Sequence, residues 1–119
     1  MKKYILIALV FIGTTVAAQN LNQPKLETKG TLTVATYFYD NGSVHQEGAF
    51  NKNGALEGVW TSYDFEGNKL SQGIYSNGIR TGKWFFWTEN TLKEVDFVNS
   101  KIMNVNEWSR KSELAISMN

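Results

Sequence analysis

His45 is the only histidine in this 119-residue chain, which has no cysteine at all. A histidine works as a general base beside a nucleophile or an orienting carboxylate. His45 is followed by Gln46, Glu47 and Gly48, and nothing around it forms that arrangement. Adenylyl transfer of the paired-histidine kind is excluded on the same count. The run Gly78-Ile79-Arg80-Thr81-Gly82-Lys83-Trp84 has the outline of a phosphate loop, but its glycines stand one residue too close and Trp84 replaces the metal-binding hydroxyl. Asp64 and Glu66 are spaced to share a strand face, yet calcium asks for about six to eight oxygens, and acidic residues at a hairpin end account for the pair. Asn41-Gly42-Ser43 fits a glycosylation acceptor; the same residues are what a turn requires. Without cysteine there is no disulfide, thiolate metal site, thiol nucleophile or lipid-modified anchor. The expectation is a chain that is not an enzyme and carries no cofactor and no metal.

What remains for chemistry is aromatic. Trp84-Phe85-Phe86-Trp87 puts rings on both faces of a strand, because neighbours alternate sides. In a single-layer sheet one such face is exposed, covered by the chain ends, or used to bind. Trp60, Trp84 and Trp108 recur every 24 residues, and Tyr39, Tyr63 and Trp87 keep the same spacing. Two ladders follow. Trp60, Trp84 and Trp108 are expected to be structural; Tyr39, Tyr63 and Trp87 are the candidate binding face. Core packing and a binding surface both stay open for the more exposed ladder.

The elements that would hold these rings follow from the repeat. Gly58 and Gly82 are 24 apart, as are Asn53-Gly54 and Asn77-Gly78; Gly48 and Gly73 are 25 apart, read here as one extra residue near Phe65. The third unit keeps its aromatics but lacks the glycines, as a terminal unit does. Segments between turns are six to nine residues long and rich in aromatic and β-branched residues, which suits strands. Seven are expected: 31–39, 44–50, 59–65, 69–75, 83–88, 92–98 and 103–108. Asn41-Gly42, Asn53-Gly54 and Asn77-Gly78 supply the positive φ of tight hairpin turns. Gly48 and Gly73 fall inside strands, where glycine marks a bulge or a large group lying on the backbone; a ring from the next unit is the expected neighbour. Val95 replaces that glycine in the last unit. The fold class is all-β, a single antiparallel meander sheet of about three β-hairpin repeats.

Around this domain, 30–108, lie three other segments. Lys2 and Lys3, the apolar run Tyr4–Ile12 and the small residues Val16-Ala17-Ala18 occur in the order of a signal peptide, 1–18, with cleavage between Ala18 and Gln19. Residues 19–29 are polar, contain the only proline, and read as a flexible leader; 109–119 reads as a tail. Losing Lys2 and Lys3 from the 12 basic residues leaves 10 against 11 acidic ones. That balance gives no handle on nucleic acid, which selects basic faces, and no further segment reads as a membrane span.

The pattern Tyr63-Asp64-x-x-Gly67-x-x-Leu70-x-x-Gly73-x-Tyr75-x-Asn77-Gly78-x-x-x-Gly82-x-Trp84 resembles the bacterial variant of the MORN repeat. The resemblance covers about residues 37–108. It implies hairpins that extend one antiparallel sheet, with scaffolding and binding roles and, for some bacterial relatives, a part as the antitoxin of a toxin–antitoxin pair. Such antitoxins act in the cytoplasm, whereas the leader points to export, periplasmic or secreted. The functional expectation is an exported, non-enzymatic module whose partner is a protein, bound through an aromatic face or an open sheet edge. The alternative is a cell-envelope glycan stacked on Tyr63, Trp84 and Trp87.

Overall fold

The computed structural model describes residues 23–109. The signal segment, its cleavage point at Ala18 and Gln19, and the tail beyond Ser109 lie outside the described residues. Eight strands form one sheet in chain order: β1 (Lys25–Lys29), β2 (Leu32–Phe38), β3 (Val44–Phe50), β4 (Leu56–Tyr63), β5 (Lys69–Ser76), β6 (Ile79–Trp87), β7 (Thr91–Val98) and β8 (Lys101–Ser109). Each pairs antiparallel with its successor. This is the all-β meander expected from the repeat. Among the described residues there is no helix, hence none long and apolar enough to cross a membrane.

The sheet begins before Gly30. Lys25–Lys29, read from composition as leader, pairs with β2 from Lys29↔Leu32 to Lys25↔Thr36. All five residues are exposed, so β1 is held by its ladder hydrogen bonds rather than by burial, and a hydrophobic pattern could not reveal it.

Strands β4 and β6 also begin earlier than expected, because Gly58 and Gly82 do not end the ladder. They open wide bulges. Ala49 pairs with Glu57 and Glu47 with Thr61, so Gly58, Val59 and Trp60 together face the single Gly48. Ile74 likewise pairs with Thr81 and Gln72 with Phe85, leaving Gly82, Lys83 and Trp84 opposite Gly73. Gly58 and Gly82 take φ of 81° and 72°, which glycine adopts without steric cost.

These bulges build the core. A Cβ placed on Gly48 would overlap the Trp60 indole, and one on Gly73 the Trp84 indole. Each ring therefore lies flat on bare backbone; the neighbour is aromatic as expected, but it comes from the glycine's own repeat unit and not from the next one. The indole N–H groups donate to carbonyls at the bulges: Trp60 Nε1 to Ala49 O at 3.0 Å, and Trp84 Nε1 to Ile74 O and Thr81 O, both at 3.2 Å. Edge-on contacts join Phe50 to Trp60, Trp60 to Tyr75, Tyr75 to Trp84 and Trp84 to Phe97, with centroids 5.1–6.4 Å apart. The Arg80 guanidinium lies 5.1 Å over the Trp84 ring and 5.4 Å over Phe97. Flanked in this way, Trp60 and Trp84 are only 5% exposed, although the described residues form one sheet. Ala35, Val95 and Phe97 complete the buried apolar set.

Turn lengths explain the uneven spacing. The pairs Tyr39/Ser43, Asn51/Ala55 and Asp64/Asn68 each close a three-residue loop through a 2.8 Å hydrogen bond. Asn77-Gly78 is instead a two-residue turn with φ of 51° and 85° at both positions. Asn53-Gly54 is thus not its equivalent: only Gly54 has a positive φ. The residue that separates 25 from 24 lies in that turn, not near Phe65. The last unit keeps the two-residue form without glycine, since Asn99 and Ser100 take φ of 52° and 67°. Ser100 N–H donates to Arg80 O at 2.9 Å, and Arg80 N–H to Ser100 Oγ at 3.1 Å. These two bonds hold a conformation that serine ordinarily avoids.

Candidate functional site

Alternation and cross-strand pairing place Trp60 and Trp84 on one face of the sheet, while Thr61, Phe85 and their partners occupy the other. On that second face a row of side chains crosses five consecutive strands. Tyr63 on β4 pairs with Lys69 on β5, Trp87 on β6 with Leu92 on β7, and Leu92 with Trp108 on β8. The Lys69 ammonium, 5.9 Å from the centre of the Trp87 ring, links the two halves of the row. Phe85 stacks beside Trp87 at 5.9 Å with 22° between the planes. Tyr63, Trp87 and Leu92 are half-buried, Lys69 is exposed, and Trp108 is 43% exposed.

Below the row, polar pairs share the face with the exposed Val59 and Ile74. Tyr63 Oη donates to Glu47 Oε2 at 3.0 Å. Burial first, then the hydrogen bond to Glu47 and its charge, raise the Tyr63 pKa above the ordinary tyrosine value, so the phenol stays a donor. Gln72 Nε2 donates to Thr61 Oγ1 at 3.0 Å. Lys83 Nζ sits 3.1 Å from Glu94 and 2.9 Å from Asp96. Its hydrogen bonds to those carboxylates raise the Lys83 pKa, and the Lys83 bond lowers that of Asp96. The surface thus offers flat rings flanked by one cation. It can bury a partner's apolar groups and orient them by charge, and it shows no nucleophile–base pair.

Two members of the expected binding ladder, Tyr63 and Trp87, are in this row. Tyr39 is not. The longer β3–β4 turn makes Phe38 the counterpart of Tyr63: Phe38 pairs with Val44 across a register shift as Tyr63 pairs with Lys69. Tyr39 instead closes the β2–β3 loop, donating from Oη to Tyr63 O at 2.7 Å, with its ring against His45 and Phe65. Trp108 moves the opposite way. It does not extend the Trp60–Trp84 ladder, because Val95 carries the Cβ that Gly48 and Gly73 lack, and Val95 pairs in plain register with Val105 and not through a wide bulge. The pairing of β7 with β8 across the Asn99-Ser100 turn, with its register shift between Asp96 and Phe97, sets Trp108 opposite Leu92, in the candidate row. Lys69 and Leu92 were invisible as site residues, since their place depends on register; the 24-residue period alone does not reveal it.

Of the other candidates, His45 is exposed against the Tyr39 ring, 4.4 Å between centres. Asp64 serves its turn: Oδ1 accepts the N–H of Glu66 at 2.9 Å and of Asn68 at 2.8 Å, and Oδ2 the Asn68 side-chain amide at 3.2 Å. These bonds, the Asn68 N–H foremost, lower the Asp64 pKa. No group of three or more histidine, cysteine or acidic residues stands ready for a metal among the described residues. Comparison with protein-family models and with curated proteins finds no match for this chain.

Proposed function

We propose that this chain is an exported, non-enzymatic β-repeat module that binds a protein through the row Tyr63, Lys69, Trp87, Leu92 and Trp108. The observation that carries the reading is the unequal use of the two faces. On one, the large rings are seated on glycines, hydrogen-bonded and covered; on the other, a row five strands wide, mostly aromatic and apolar with one lysine, stays open to solvent at Trp108 and Lys69. Aromatic rings flanked by a cation are the composition of binding hot spots. The succession of hairpins on one sheet also supports membership in the MORN-like repeat family that the sequence resembles, and the basic–apolar–small order of residues 1–18 supports export.

The test is affinity purification from the native envelope with wild-type and Trp87→Ala baits, both shown to be folded. A protein retained by the first and lost from the second supports the proposal; identical retention by both refutes it. Stacked, half-buried Phe85 and Trp87 favour one second reading, a glycan lying on their open side. Retention on insoluble polysaccharide that disappears in Trp87→Ala, with no protein captured, would select it. Intact mass of the exported product, starting at Gln19, checks the leader.

A further inference from the structure

The chain holds three Asn-Gly pairs, Asn41-Gly42, Asn53-Gly54 and Asn77-Gly78. A following glycine leaves the asparagine amide open to attack by the next backbone nitrogen. By sequence the three are equivalent. The structure separates them. Asn41 Oδ1 accepts from Ser43 N–H at 3.0 Å and Ser43 Oγ at 2.7 Å, and its Nδ2 reaches Phe65 O at 3.5 Å. Asn77 Oδ1 accepts the Asn51 side-chain amide at 2.9 Å, while its backbone N–H is held by Glu57 Oε1 at 2.8 Å. Asn53 is exposed and donates its backbone N–H to Asn51 Oδ1; its side chain has no partner among the described residues. The attacking N–H of the following glycine is bonded in all three, at 2.8–2.9 Å, so that cost is common to them.

We infer that Asn53 is a self-modification site, where the chain converts its own amide to a carboxylate with water as the only co-reactant. Gly54 N attacks Asn53 Cγ. The new N–C bond closes a five-membered imide, Gly54 N gives up its proton, and the Cγ–Nδ2 bond breaks to release ammonia. Water then opens the ring, breaking the N–Cγ bond to give aspartate or the bond from N to the Asn53 main-chain carbonyl carbon to give isoaspartate. No electron changes hands. Aspartate places a new negative charge beside Lys52; isoaspartate adds a backbone methylene to a three-residue loop whose closure holds β3 against β4. Each hydrogen bond that must first be released slows the reaction roughly threefold to tenfold. Asn41, held by two Ser43 bonds, therefore lags Asn53 by about tenfold or more, and Asn77 by a smaller factor.

The test is incubation of the intact protein at mildly alkaline pH, followed by peptide mapping for the mass gain of an amide-to-carboxylate exchange and for isoaspartate. Modification of the Asn53 peptide ahead of the other two is expected, with the order lost in denaturing urea. Ser43→Ala should speed Asn41 severalfold. Equal rates in the folded protein, or an order that persists in urea, would overturn the inference.

Discussion

Gly73→Ala adds one methyl group at a place already filled by the Trp84 indole. Backbone lies under the ring and the exposed Arg80 guanidinium lies 5.1 Å over it, so admitting the methyl group requires the ring to move. If the indole shifts and keeps its hydrogen bonds, the cost is that of overpacking, about 1–3 kcal/mol. If it is expelled, its bonds to Ile74 O and Thr81 O break and the cost approaches the roughly 3–5 kcal/mol of a tryptophan truncation. Either outcome lowers the melting temperature by about 4–8 °C per kcal/mol in a domain of this size. A double-mutant cycle isolates the cause. In a Trp84→Ala background the clash is absent, and Gly73→Ala should be neutral or stabilising by about 0.5–1 kcal/mol, the usual advantage of alanine over glycine in a strand. The coupling should then be about 1–4 kcal/mol if the indole shifts, and about 3–6 kcal/mol if it is expelled. Urea unfolding followed by far-UV circular dichroism reads all four corners, and Gly48→Ala with Trp60→Ala repeats the cycle should Trp84→Ala fail to fold. Equal penalties for Gly73→Ala in both backgrounds would refute the seating of the ring on the glycine.

Val95→Gly should not recreate the seat, because Trp108 lies on the other face; its melting temperature should fall with no gain in tryptophan burial by fluorescence. Gly78→Val should cost about 1–3 kcal/mol by urea denaturation, because φ is 85° there. Stability should fall in acid. The folded pKa values of Asp64 and Asp96 lie below the ordinary carboxylate value, so the stability they confer is present above it and is lost as pH falls through the lowered folded values; Asp64→Asn with Asp96→Asn should flatten the acid limb of midpoint against pH. Tyr63 has the opposite sign: its raised pKa gives stability that is complete below the ordinary tyrosine value and lost as pH rises through the folded one, a loss that Tyr63→Phe should abolish.

The fold was legible because strand signals and turn signals agree along the whole repeat, and Gly48 and Gly73 announced the rings that lie on them. Finer placement was not. Gly58 and Gly82 read as breaks, although a glycine with positive φ can carry a strand through a bulge. Asn53-Gly54 and Asn77-Gly78 share letters but not turn length, and one residue of difference is enough to exchange Tyr39 for Phe38 in the row. Trp108 keeps the 24-residue spacing yet changes face, since side-chain direction follows register, and β8 pairs with β7 without the wide bulge that seats Trp60 and Trp84. β1 left no apolar signature because none of its side chains is buried.

The division of labour between the two faces is tested most directly by measuring stability and partner retention together in Trp84→Ala and Trp87→Ala. The account predicts that Trp84→Ala loses roughly 3–5 kcal/mol, whereas Trp87→Ala, a half-buried ring, loses about 1–2 kcal/mol, stays folded and no longer retains the partner. A Trp87→Ala domain that unfolds like Trp84→Ala, or that stays folded and holds every partner of the wild type, would contradict it.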